Sequence, residues 1–421
     1  MTEPSTHLEA GASSRRTCRL CGAPLKRTFV DLGVQPPCES YVSEAQLDER
    51  EAFYPLHVRL CENCLLVQLP TYVSAADIFS DYAYFSSYSD SWVRHAEAYI
   101  DQMSTRLGLG PTSLVTEVAS NDGYLLQHAV RRGIPVLGVE PAANVAEAAR
   151  ARGVRTAVHF LGEQTGRELA TEFGRADLVV ANNVFAHVPD IVDFAKGMRN
   201  LVAEDGLVTL EFPHLLRLIE GRQYDTIYHE HFSYLSLLTS SRALEAGGLN
   251  VVDVEELKSH GGSLRVHARP VEHETLPSSA VTRVMAEESA FGLHSVDGHS
   301  GFASEVLKIK RDLLDFLIAA SRMGQSVVGY GAPGKGNTLL NHCGIRNDLM
   351  AFTVDRSPYK QGLFLPGTHI PIYSPDRIAE TRPDYILILP WNLREEIMGQ
   401  LEYAREWGAQ FVVPIPQLQV S

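Results

Sequence analysis

No stretch of the chain approaches the roughly 20 consecutive apolar residues that a membrane-spanning helix requires, so no membrane association is expected. Positive charge is also short, with 37 Lys and Arg against 51 Asp and Glu and a formal net charge of -14. That balance provides no basic stripe for a nucleic-acid backbone. It still permits a phosphorylated small molecule, because one Lys or Arg can override the global sign locally. The first sixteen residues are polar and lack an apolar h-region, so a cytoplasmic protein with a disordered tail over residues 1–14 is expected. No coiled-coil heptad or long exposed strand marks an interface, which suggests a monomer or weak oligomer. At 421 residues, 45% hydrophobic and 21% charged, the chain has globular composition and enough length for two or three domains.

Four of the six cysteines fall in two pairs, Cys18-Arg-Leu-Cys21 and Cys61-Glu-Asn-Cys64. Each C-x-x-C turn puts two thiolates on one side of a knuckle, and two knuckles complete the tetrahedral sulfur shell that zinc prefers. A redox dithiol would need only one such motif, in a thioredoxin-like βαβ pattern that is missing here. Four protein thiolates close the shell, so the expected zinc is structural and does no chemistry. The long gap between the pairs calls for an insertion. Cys38 and Cys343 stand alone and read as packing residues.

From Ser113 the pattern becomes strand, turn, helix. Leu114–Val118 is a short apolar strand carrying Glu117 near its end, Ala119-Ser120-Asn121-Asp122-Gly123 is a small-residue turn, and Tyr124-Leu125-Leu126 opens a helix. Small residues let the backbone approach a ligand at the carboxyl edge of a parallel sheet. A second strand, Pro135–Val139, ends in Glu140-Pro141, and a carboxylate at that place can accept both ribose hydroxyls of a nucleoside. Further strands are Asp177–Asn183, with Asn182 and Asn183 at its end and His187 just beyond, and Leu207–Phe212. Asn250–Glu255 and Ser263–Ala268, joined through Gly261-Gly262, suit an antiparallel finishing hairpin. The first turn has no G-x-G-x-x-G, which argues against NAD and leaves a generic Rossmann-like nucleotide site, while the whole order resembles the class I methyltransferase fold, which implies S-adenosylmethionine.

Between the fifth strand and the hairpin lies Tyr224-Asp-Thr-Ile-Tyr228-His229-Glu230-His231-Phe-Ser-Tyr234. Imidazole suits proton transfer near neutrality, and carboxylate or phenol neighbours can fix its tautomer. An H-x-H with a Glu could also ligate a metal, but the surrounding pattern is not the β-barrel that such sites favour. A cluster this dense beside a cofactor reads as functional.

Five elements carry a resemblance: the four-Cys module, Asp81-Tyr82-Ala-Tyr84-Phe85-Ser-Ser-Tyr88-Ser, Glu117-Val-Ala-Ser-Asn-Asp-Gly, Tyr228-His-Glu-His-Phe-Ser-Tyr, and Ser259-His260-Gly-Gly-Ser263. Together they resemble the nucleotide-sugar C-methyltransferases of deoxysugar antibiotic pathways, most nearly the C-3 methyltransferases of tetronitrose formation. The resemblance spans nearly the whole chain. It implies a class I methyltransferase (Rossmann-like) α/β core that uses S-adenosylmethionine on a dTDP-linked 3-amino-4-keto-2,3,6-trideoxyhexose, with His260 among the residues that bind it. Carbon 3 is α to the ketone, so a base must remove its proton while donors stabilise the enolate. His231 is the expected base and Tyr228 the alternative. His187 or Tyr82 would position the sugar or steady the enolate, and Glu230 would orient an imidazole.

After an amphipathic helix from Glu305 to about Met323, a second α/β unit begins at Val327-Val328-Gly329-Tyr330-Gly331-Ala-Pro-Gly334-Lys335-Gly336. Strands Ala351–Asp355, Tyr385–Leu389 and Phe411–Pro414 follow, so this G-x-G-x-x-G can be read as a dinucleotide fingerprint with Asp355 at the ribose. A methyl transfer needs no hydride, however, and a helix N-terminus with a lysine suits the diphosphate of a dTDP-sugar equally well. Lys335, Asn337 and Lys360 are its expected contacts. The expected organisation is a four-Cys module over 15–80, a methyltransferase core over 81–302 and a smaller Rossmann-like domain over 303–421. Two rivals are an NAD-dependent nucleotide-sugar oxidoreductase or epimerase, and a zinc-scaffolded binding protein without catalysis.

Overall fold

Runs of buried β-branched and aliphatic residues build the larger sheet, seen in a computed structural model that describes residues 16–73, 86–88 and 90–421. The tail expected over 1–14, and Tyr82, lie outside the described residues. The strands are β1 (Val115–Val118), β2 (Val136–Val139), β3 (Thr156–Ala157), β4 (Ala176–Asn182), β5 (Val202–Pro213), β6 (Leu249–Leu257) and β7 (Ser263–Pro270), in the order β6-β7-β5-β4-β1-β2-β3. The five from β3 to β5 are parallel, and β7 and β6 finish the sheet antiparallel. Helices cover both faces, so the strands are apolar throughout rather than alternating. In β4, Leu178 and Val180 join a cluster with Tyr99, Ile100 and Met103 on one face. Val179 and Ala181 join Phe194 and Met198 on the other. Helix Ile191–Leu201 begins where Asp190 caps the amides of Val192 and Asp193 at 3.2 and 3.0 Å.

The chain forms two units, each from separated segments. The first contains residues up to Lys26, Leu60–Leu215 and Phe232–Gly298, and the second Arg27–Arg59, Leu216–His231 and His299–Ser421. These bounds cut across the contiguous 15–80, 81–302 and 303–421 divisions. The four cysteines fall in the first unit, whereas most of the insertion between them, with strand Arg27–Gln35 and all but the last residue of strand Tyr54–Leu60, falls in the second. The cause is long-range pairing: Val42 and Phe364 exchange backbone hydrogen bonds at 3.0 and 2.8 Å, and Thr338 donates to the Ile227 carbonyl at 2.9 Å.

Six strands form the sheet of the second unit: β8 (Val327–Tyr330), β9 (Thr353–Val354), β10 (Ile372–Tyr373), β11 (Tyr385–Ile388), β12 (Gln410–Val413) and β13 (Gln419–Val420), ordered β10-β9-β8-β11-β12-β13. All are parallel except β13, which is the Rossmann-like pattern expected. Among the described residues, no helix is long and apolar enough to cross a membrane.

Candidate active site

Two cysteine knuckles in the first unit repeat one backbone geometry. Gly22 and Leu65, each following a second cysteine, take left-handed φ of 72° and 66°. Their amides bond back to Cys18 and Cys61 at 2.8 and 2.9 Å. Glycine reaches that region freely, whereas leucine there costs roughly 1–2 kcal/mol. All four sulfurs lie within 4.8 Å of one another, the closeness a tetrahedral tetrathiolate needs. Gln68 donates to Cys18 Sγ at 3.1 Å and Asn63 to Cys21 Sγ at 3.4 Å, so two thiolates have their own donors.

At the carboxyl ends of β1, β2 and β4 the expected donor site takes shape. Ala119, Asn121 and Gly123 have φ of 54°, 49° and 78°, which coils the turn tightly. A Cβ on Gly123 would come 2.9 Å from Val154, so only glycine fits there. Glu140 accepts from the amides of Asn121 and Ala142, both at 2.9 Å. Each carboxylate oxygen has bonding capacity beyond one amide, enough for a ribose diol. Burial raises the Glu140 carboxyl, opposed by those two amides. Burial pushes Glu117 well above the carboxylate range, with the Tyr124 hydroxyl opposing and the Glu140 charge adding. Asp122 pairs with Arg152 at 2.8 Å. The buried atoms Ser120 Oγ, Asp122 Oδ1, Asn182 Oδ1 and Asn183 Oδ1 have no hydrogen-bond partner within the protein. Orphaned polar atoms grouped at a strand edge are what a polar ligand would satisfy, so these residues fit the expected nucleoside donor. Replacing Glu140 by Gln sets an amide N–H against a backbone N–H and removes the charge. The dissociation constant for S-adenosylmethionine, read by calorimetry, is expected to rise roughly 10–100-fold.

His187 closes a short turn just past β4, its amide bonded to the Val184 carbonyl at 2.8 Å. His260 has φ 53° within the β6–β7 turn, its ring 5.4 Å from Trp92 and its Nε2 3.4 Å from Asn183 Nδ2. Beside it lies a network that sequence reasoning missed. The buried Glu211 meets His95 at 3.0 Å, Arg265 at 2.9 Å and the Ser259 hydroxyl at 2.8 Å, while Trp92 stacks on His95 at 4.8 Å. Burial opposes ionisation of Glu211, but His95, Arg265 and Ser259 outweigh it and hold the carboxyl below its ordinary value. The signal was present, since Glu211 is a strand-end acid like Glu117 and Glu140.

Tyr228, Glu230 and His231 belong to the second unit. His231 Nδ1 lies 2.8 Å from the Thr226 carbonyl, and its ring is 4.0 Å from that of Tyr228. A carbonyl can only accept, so Nδ1 carries a proton, and in the neutral ring the lone pair is on Nε2. His229 is buried, donates to the Tyr54 carbonyl at 3.3 Å and is pulled down by burial. Burial, then the Glu39 charge, pushes Glu230 up to about 8. Burial also raises Asp225 to about 6, opposed by the Lys335 ammonium and the Trp391 indole, which donates at 2.7 Å.

The G-x-G-x-x-G turn of this unit is filled by its own residues. A Cβ on Gly334 would meet Cys38 Sγ at 2.8 Å, and one on Gly331 would meet Pro390 at 2.6 Å. The Ala332 amide donates to Asp355 at 2.7 Å, so the acid read as a ribose ligand is committed to the turn itself. Asn337, expected as a substrate contact, is buried and donates through Nδ2 to the Cys38 carbonyl at 2.6 Å, while its Oδ1 has no hydrogen-bond partner within the protein. Lys335 bonds Asn392 at 2.8 Å over the Trp391 ring, and Lys360 bonds the Ala332 carbonyl at 2.9 Å.

Comparison with known proteins agrees with these features. Residues 18–79 match the family described as "Putative zinc binding domain", residues 92–254 a "Methyltransferase domain" and residues 258–416 a "C-methyltransferase C-terminal domain". C-methyltransferase NovU of Streptomyces niveus is 37% identical over 405 residues, 96% of each chain. Two solved structures align with lower similarity. An S-adenosylmethionine-dependent methyltransferase from Clostridium acetobutylicum ATCC 824 is 12% identical, covering 44% of this chain and 92% of its own, with a TM-score of 0.34. Magnesium protoporphyrin IX methyltransferase ChlM from Synechocystis PCC 6803, with bound SAH, is 14% identical over 42% of this chain and 81% of its own, with a TM-score of 0.33. Near-full-length identity to a C-methyltransferase, a methyltransferase core and a four-cysteine zinc site place the chain in the S-adenosylmethionine-dependent C-methyltransferase family.

Proposed function

We propose that this enzyme methylates carbon 3 of a dTDP-linked 3-amino-4-keto-2,3,6-trideoxyhexose, in the cytoplasm, during deoxysugar antibiotic biosynthesis. The observation that carries the reading is the tautomer of His231. With Nδ1–H donated to Thr226 at 2.8 Å, Nε2 is a lone-pair base suited to taking the proton on a carbon α to a ketone. The Tyr228 ring, 4.0 Å away, brings a phenol that can donate to the enolate oxygen, and His187 is a second donor in the same role. Lys335 and Lys360 supply positive charge for the diphosphate, and His260 a hydrogen bond to the acceptor. S-adenosylmethionine, when bound, supplies an electrophilic methyl group, and Glu140, Asp122 and Asn182 are the residues that would hold it. The acceptor is tested by incubating a panel of dTDP-4-keto-sugars with the donor and weighing the products. A gain of one methylene unit on the 3-amino sugar is expected, and a gain only on some other member would replace this acceptor.

Glu230 contributes a pH signature. Its folded value of about 8 lies above its ordinary 4.5, so the group is neutral at working pH and can donate rather than repel a developing enolate. Turnover is expected to fall as pH rises through about 8, and Glu230→Gln to abolish that limb. The sign for stability is the same. The unfolded carboxyl ionises from about 4.5 while the folded one resists until about 8, so stability is lost progressively across that window and recovered by Gln. An unchanged alkaline limb in the Gln variant would remove Glu230 from the chemistry.

A further inference from the structure

One side chain of the zinc site reaches well beyond it. Arg19 lies between the ligands Cys18 and Cys21, and its backbone amide donates to Gln68 Oε1 at 3.0 Å while Gln68 donates to Cys18 Sγ at 3.1 Å. Its guanidinium leaves the knuckle altogether. Nη1 donates to the carbonyls of Val188 at 3.4 Å and Pro189 at 3.0 Å, Nη2 to the Leu69 carbonyl at 2.5 Å, and the plane lies 5.3 Å over the Phe232 ring. On the other side of His187, the Ala186 carbonyl accepts from the Phe232 amide at 2.8 Å, and the Phe232 carbonyl accepts from Leu69 at 3.0 Å. The residues before and after His187 are therefore both fastened to the cysteine module, one through Phe232 and the other through Arg19. The guanidinium is suited to this because its planar fork serves three carbonyls at once, which an ammonium on a flexible stem cannot do in fixed geometry.

We propose that Arg19 is a positioning residue that ties the zinc knuckle to the turn carrying His187, so that the metal site sets the aim of a side chain used in the reaction. The inference rests on the role given to His187 above. A shift of about 1 Å in a reacting group can cost on the order of 100-fold in rate. A link made of hydrogen bonds to two adjacent carbonyls is enough to prevent such a shift.

The test is a double-mutant cycle on the full-length zinc-loaded enzyme, with Arg19→Gln and His187→Asn and the dTDP-3-amino-4-keto-2,3,6-trideoxyhexose as acceptor. Arg19→Gln is expected to keep one zinc per chain and to leave the affinity for S-adenosylmethionine within about twofold, while kcat falls roughly 10–100-fold. In the His187→Asn background the same change should cost no more than about twofold, because the group it positions is gone. Amide exchange by mass spectrometry should quicken in the peptide spanning residues 184–190, and Arg19→Lys should restore part of the loss. An Arg19→Gln loss of equal size in both backgrounds overturns the proposal, as does a wild-type rate in Arg19→Gln beside an impaired His187→Asn. Loss of zinc from both the Gln and Lys variants also overturns it, since Arg19 would then serve only the knuckle. A wild-type rate in His187→Asn instead removes the role of His187 and this link with it.

Discussion

His231→Asn is expected to lower kcat by roughly 10²–10⁴, the range that a positioned general base contributes, while S-adenosylmethionine binds within about twofold of the wild-type affinity. The separation follows from the roles, since His231 is anchored to the Thr226 carbonyl and is not one of the residues, Glu140, Asp122 and Asn182, that would hold the donor. Asparagine can still donate to the Thr226 carbonyl, so the loop keeps its anchor and loses only the basic nitrogen. Deuterium wash-in at carbon 3, measured with S-adenosylhomocysteine in place of the donor, isolates the proton step from methyl transfer. Wash-in should vanish in His231→Asn and persist in Tyr228→Phe at a reduced rate. The reverse pattern would make Tyr228 the base.

The second large effect is on the metal. One zinc per chain is expected by elemental analysis, and Cys61→Ser is expected to release it. Three of the four ligands, Cys18, Cys61 and Cys64, belong to the same buried cluster as Val208, Leu210 and Phe212 of the central sheet. Losing the metal therefore opens the edge of the methyltransferase core as well as the module. Several kcal/mol of binding free energy are folding free energy at such a site. For a unit of this size that corresponds to a fall in Tm of roughly 10–20 °C, accompanied by weaker S-adenosylmethionine binding. A Cys61→Ser protein that melts with the wild type and binds the donor normally would show the metal to be dispensable.

Local chemistry explains which features could be read from the chain. Cys18, Cys21, Cys61 and Cys64 announce themselves because each C-x-x-C spacing brings two sulfurs together and two such pairs make a tetrathiolate shell. The strands around Glu117 and Glu140 do so because a doubly covered parallel sheet writes an uninterrupted apolar run. The G-x-G-x-x-G after Val328 shows the limit of such reading. Its glycines look like room for a ligand, yet Gly334 makes room for Cys38, almost three hundred residues earlier in the chain. Asn337, expected as a substrate contact beside Lys335 at the helix N-terminus, also donates to the Cys38 carbonyl, a partner that its place in the chain does not show. Arg19 was invisible because its partners, Val188 among them, are set by tertiary packing; Glu211 was legible as a strand-end acid, but its pairing with His95 was not, for the same reason.

The threading of the chain bears on how the enzyme is made. Arg27–Arg59 belongs with His299–Ser421, and everything between must be synthesised before the two can meet. At a ribosomal pace of about 5–20 residues per second that interval lasts on the order of tens of seconds. Throughout it the apolar side of Arg27–Gln35, with Phe29, Val30 and Leu32 buried in the finished protein, has no C-terminal partner to cover it. Cys18 and Cys21 wait in the same way for Cys61 and Cys64, but only for some forty residues. The zinc site thus closes early, soon after Arg27–Gln35 can pair with Tyr54–Leu60 and long before His299–Ser421 has been made.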